Sequence, residues 1–128
     1  MPEASPSNEG ISLLTNPEKW LHDHHWEAEQ ITIAVAGALG EQNLGAAVAT
    51  GTRRIREITI RHAGTNNTVV TLLISGGATK LTIDVPAGTT RVWSSKDGRE
   101  FVAGEQPAVQ TSDVVGGSTY VSAAGVEA

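Results

Sequence analysis

Cysteine is absent from the 128 residues. That excludes disulfides, a thiolate nucleophile and any Cys-ligated zinc or iron–sulfur site. Aromatics are scarce, with three Trp, one Tyr and one Phe, so a core here must lean on small aliphatic side chains. Basic residues are outnumbered, nine against fourteen acidic, for a net charge of −5. A general nucleic-acid binder needs a net basic surface to displace counterions, so that class is disfavoured. No run of 18 apolar residues occurs, so no transmembrane helix and no membrane partner are expected. The opening MPEASPSNEG has neither the positive flank nor the apolar stretch of a signal peptide. The expectation is a protein made soluble inside the cell, leaving it only by lysis or within an assembly. Glycine, by contrast, is plentiful at 14 residues.

The charge is concentrated at one end. Residues 1–30 hold Glu3, Glu9, Glu18, Asp23, Glu27 and Glu29 against Lys19 alone, whereas 31–128 hold eight acids and eight bases. Trp20, Trp26, His22, His24 and His25 fall in the same acidic stretch. The compositional break divides the chain into an N-terminal arm, 1–29, and a body, 30–128. The first ten residues are too polar to offset their ordering entropy by burial. Thr15 with Glu18 fits a capping box, and Asn16 before Pro17 fits an N-cap with Pro at the first helical position. Either register predicts a short helix over about 17–28. A period-2 reading, with Trp20, His22, His24 and Trp26 on one face, competes with it; the capping signal favours the helix.

The body reads as all-β. QITIAVA over 30–36 is a β-branched run closed by Gly37. In 55–63, Ile58 and Ile60 share a face while Ile55 is out of phase, which predicts a bulge or a late strand start. Thr68 to Ser75 is apolar on both parities, as a central strand would be. Gly76-Gly77 marks a hairpin, and Thr79 to Val85 alternates with Leu81, Ile83 and Val85 inward. Short strands are further expected at 91–94, 100–103, 107–111 and 118–123, with Lys96-Asp97-Gly98 as a turn. The pattern predicts a single antiparallel β-sandwich or jelly roll of about eight strands with an extended N-terminal arm containing a short helix.

Chemistry-bearing residues are few. His22-Asp23-His24-His25 has metal-ligand types, but only His62 lies elsewhere, so no metal site and no cofactor are expected. A jelly-roll metalloenzyme of the cupin sort needs ligands on body strands, and His62 alone is too few. No G-x-S-x-G elbow, P-loop or dinucleotide fingerprint occurs. The expectation is therefore not an enzyme. Arg53, Arg54 and Arg56 form a local basic patch that an acidic partner surface would suit. Trp93 is expected to be a core or interface anchor. Trp20, Leu21, His24 and Trp26 sit outside the sheet pattern, and large rings there must bury in a partner groove or on the domain's own flank.

Residues 47–56 (AVATGTRRIR), Val69-Val70-Thr71-Leu72, Ala103-Gly104-Glu105 and Ser118-Thr119-Tyr120-Val121 follow one another in an order that resembles small β-sandwich proteins of tailed-phage structural gene clusters, over about 46–121. Gln106-Pro107-Ala108 and the tryptophan-bearing arm depart from that pattern. The resemblance implies a capsid decoration (cement) protein, assembled in the host cytoplasm and carried on the virion surface. Its implied partners are the major capsid protein and neighbouring copies of itself as a homo-oligomer. A virion adhesion or carbohydrate-binding module, with Trp93 near Asp97 as its candidate, is the alternative.

Overall fold

β-branched runs broken by glycine turns give strands that bury one face each, and two such sheets close on one another. The computed structural model describes residues 24–128. In chain order its elements are β1 (His25–Ile33), a single 3-10 turn (Ala38–Gly40), β2 (Gln42–Asn43), β3 (Thr52–His62), β4 (Thr68–Ile74), β5 (Thr79–Val85), β6 (Thr90–Val102), β7 (Pro107–Thr111) and β8 (Thr119–Glu127). They form two four-stranded sheets, β1-β8-β3-β6 and β2-β7-β4-β5, with every pairing antiparallel. The all-β sandwich expected from the sequence is the fold observed.

The core lies between the sheets, where Ile33, Ile55, Ile58, Leu72, Val109 and Phe101 are fully buried. The phase break at Ile55 is a bulge: Ile55 and Glu57 of β3 sit opposite the adjacent residues Gly125 and Ala124 of β8. The extra residue, Arg56, lets Ile55 and Ile58 both face inward despite their odd spacing. β5 alternates as expected, with Ile83 and Val85 buried and Leu81 packed against the core. On the side where β5 and β6 meet, arginines close the gap. Arg91 Nη1 donates to the Asp84 carbonyl at 2.9 Å, and Arg99 Nε to that of Lys80 at 3.2 Å. Two backbone acceptors of β5 are thereby occupied, which blunts strand addition there.

Several expectations are corrected. Residues 25–28, assigned above to the end of a helix over 17–28, are strand. Trp26 and Ala28 alternate inward opposite Gly125 and Ala123, and a bulge between Ala28 and Ile31 resets the phase so that Ile31 and Ile33 also face in. Pairing to β8 outweighs the weak helical stripe, and the capping residues Thr15 to Glu18 lie outside the described residues. The arm–body boundary placed at 29/30 falls inside β1. Lys96-Asp97-Gly98 does not separate two strands; β6 is one strand that pairs with β3 on both sides of a loop-out, with Arg99 opposite Ile55 and Ser94 opposite Glu57. The central aromatic ring is Phe101, not Trp93, which is half-buried at the core's margin.

The sandwich has two distinct ends. At one, Glu127 N–H donates to the His24 carbonyl at 2.8 Å, and Thr52 and Ala128 exchange backbone hydrogen bonds at 2.9 and 3.0 Å. At the other lie the 34–41, 63–67 and 112–118 connections, tied by Gly37 N–H to Thr111 O and Thr65 N–H to Val115 O, both 2.8 Å.

Candidate functional site

Strand alternation separates the residues that the sequence grouped together. Trp20 and Leu21 lie outside the described residues. His24 is half-buried at the root of β1. Trp26 is half-buried against its own domain's core, with the Arg53 guanidinium 4.4 Å from its ring centroid. Its shelter is thus the flank of its own sheet, the second of the two options above. Arg53 is only 2% exposed. Its Nε donates to Glu127 and its Nη1 to the Ala46 carbonyl at 2.5 Å. Gly45, at φ 73, lies so close that a Cβ there would come 2.7 Å from the Trp26 ring. Trp26, Arg53, Glu127 and the 44–46 backbone form one interior clamp.

Arg54, next along β3, points outward instead. It donates to Glu100 at 3.0 Å and to the Asp97 carbonyl at 3.4 Å. Such an exposed pair contributes about 0–1 kcal/mol. Arg56 occupies the bulge. The three arginines therefore do not make one basic patch: one is structural, one is ion-paired, and one is directed elsewhere. Trp93 lies beside Arg99, 5.1 Å from its ring centroid, and packs on the core rather than standing on a loop beside Asp97.

Arg56 leads to a feature that the sequence reading missed. The β3 bulge and the β6 loop-out coincide, and together they leave a depression of about 510 Å³ on the outer face of the first sheet. It is lined by His25, Arg56, Glu57, Ser94, Ser95 and Lys96 over a floor of Ala124, Gly125 and Val126. Two glycines permit it. Gly98, at φ 70, lies where a Cβ would come 2.7 Å from the Ile55 carbonyl oxygen, and Gly125 lies against the Arg54 carbonyl. The Ser95 hydroxyl holds the loop-out by accepting the Gly98 N–H at 3.1 Å. The phase break at Ile55 and the Lys96-Asp97-Gly98 turn were its two sequence signals. Their coincidence opposite one another was not legible without the pairing.

His62, the body's lone histidine, is buried with both ring nitrogens engaged. Nε2 meets the Asn66 carbonyl at 2.8 Å and Nδ1 meets the Thr119 hydroxyl at 2.8 Å. A carbonyl only accepts, so Nε2 carries a proton and donates to it, while Nδ1 shares its bond with the Thr119 hydroxyl. The ring pins the β3–β4 connection to β8. Thr119→Val is expected to leave Nδ1 unsatisfied and to cost about 1–3 kcal/mol, measured as a shift in the urea unfolding midpoint. Among the described residues no three His, Asp or Glu side chains gather as a metal site; His22 and Asp23 lie outside them.

The sequence matches no protein-family profile and no curated protein. Solved structures align with this chain at low identity. The CBM22-1–GH10 modules of Clostridium thermocellum endo-1,4-β-D-xylanase 10B, solved with xylohexaose, align at 15% identity and TM-score 0.44 over 83% of this chain and 26% of that one. The Podospora anserina GH26–CBM35 β-(1,4)-mannanase aligns at 15% identity and TM-score 0.43, over 83% and 28%. A structure of infectious bursal disease virus, Gt strain, aligns at 12% identity and TM-score 0.39, over 80% and 32%. The chain spans about a quarter to a third of the length of these neighbours.

Proposed function

We propose that this chain is a non-enzymatic decoration protein of a phage capsid. In this reading it binds the major capsid protein on the outer surface, alongside copies of itself, and bridges neighbouring capsomers. A bridge needs two attachment points held apart by a rigid body. The observation that carries the reading is an apolar pole. Leu39, at the tip of the 3-10 turn, is 96% exposed, with Val35 of the same loop at 52% and Val115 of the loop after β7 at 60%. Residues 1–23, with Trp20 and Leu21, join β1 at the opposite pole, where the Trp26–Arg53–Glu127 clamp fixes the strand to the sandwich.

Burial of a leucine contributes about 1.5–3 kcal/mol, and a lattice of repeated copies multiplies that gain. Leu39→Ser is expected to leave the unfolding midpoint within about 0.5 kcal/mol of the parent, because the side chain touches little of its own domain. Cosedimentation with capsids is expected to weaken about tenfold or more per contact. Undiminished cosedimentation of Leu39→Ser would exclude this pole as the attachment point.

A further inference from the structure

We propose that the depression at the paired bulges binds a carboxylated sugar, a hexuronic acid within an oligosaccharide. The volume, about 510 Å³, falls in the range of small-molecule sites, about 300–1,000 Å³. Its walls carry two cations, Arg56 and Lys96, neither with a hydrogen-bond or ion-pair partner among the described residues. This distinguishes them from Arg53, Arg54, Arg91 and Arg99, each of which donates to a carboxylate or a carbonyl. Two unspent cations lining one depression favour an anion, and a guanidinium fork matches the two oxygens of a carboxylate.

The remaining lining selects among anions. Glu57 stands in the same depression without a hydrogen-bond partner among the described residues. A lone carboxylate here repels a doubly charged group such as phosphate, and it accepts hydrogen bonds from hydroxyl groups. Ser94 and Ser95 add hydroxyls that both donate and accept. The low floor of Ala124, Gly125 and Val126 admits the C–H face of a ring. One carboxylate plus several hydroxyls is the ligand these groups jointly match.

Titration calorimetry of the full chain with a hexuronate oligomer tests the proposal. Inorganic phosphate, a neutral glucose oligomer and a synthetic peptide of residues 1–23 serve as competitors. Saturable binding of the uronate is expected, weakened about tenfold or more in both Arg56→Gln and Lys96→Gln. Glu57→Gln separates a sugar site from a plain anion site. It is expected to weaken the uronate, because the neutral amide oxygen is a poorer acceptor for hydroxyls than the carboxylate, whereas a plain anion site would bind more tightly once that charge is gone. All three positions are on the surface, so unchanged unfolding midpoints will show the variants folded. Absence of saturable binding, indifference to Arg56→Gln and Lys96→Gln, or tighter uronate binding by Glu57→Gln would overturn the proposal. So would phosphate binding as tightly as the uronate, or an Arg56-dependent fit of the 1–23 peptide in its place.

Discussion

Phe101→Ala is expected to cost about 3–5 kcal/mol, the largest effect of any single truncation in the body. Phe101 is the chain's one phenylalanine and is fully buried. It sits in β6 opposite Arg53 of β3, with the Lys80 ammonium 5.5 Å from its ring centroid on the β5 side. Most of its neighbours in the core are valines and isoleucines, stiff at χ1 and short, so they cannot swing in to fill the space left behind. The cavity term therefore adds almost fully to the lost transfer energy. A domain of this size has about 5–15 kcal/mol in all, so the variant should stand near the edge of folding at 37 °C. Urea unfolding followed by tryptophan fluorescence measures it. A loss below about 1 kcal/mol would mean that the two sheets are not packed around this ring.

The second large effect is at Glu127. Glu127→Ala is expected to cost about 3 kcal/mol, near the lower end for breaking a buried pair, because it strands the Arg53 guanidinium in the interior. Arg53→Met should cost less. Methionine can lie in the same apolar space, and Glu127, with its side chain 36% exposed, can turn to water. The order is the test, since a simple count of lost contacts predicts the reverse: Arg53 also holds the Ala46 carbonyl and covers Trp26. Raising the salt concentration should change neither value much, since buried charges are poorly screened. If Arg53→Met proves the more damaging, packing on Trp26 rather than charge burial governs the clamp.

These two residues show where the sequence was legible and where it was not. Period-2 patterning at Ile58 and Ile60, and at Leu81, Ile83 and Val85, named strands and inward faces, because that alternation follows from strand geometry alone. The phase break at Ile55 announced the β3 bulge for the same reason. Nothing local marks Phe101 as the central ring, because the Lys96-Asp97-Gly98 turn makes residues 100–103 read as a short isolated strand. Only the shared pairing to β3 shows that both halves belong to one strand and that the second half reaches deeper. The caps that favour a helix through Trp26 are local signals, while its strand is set by β8, almost a hundred residues away. Arg53, Arg54 and Arg56 look equivalent in a row, yet alternation and one extra residue send them to three different environments. The depression depends on the register of β3 against two neighbours at once, which local sequence does not encode.

In the proposed role, a rigid sandwich joins partners at its two poles. Electron cryomicroscopy of capsids assembled with and without the chain tests it most directly. The predicted image has added density at capsomer junctions, with the Val35–Leu39 loop seated on one capsomer and the His24 end turned toward its neighbour. Particles that look the same with and without the protein, or that hold it only by the outer face of the first sheet, would contradict the claim.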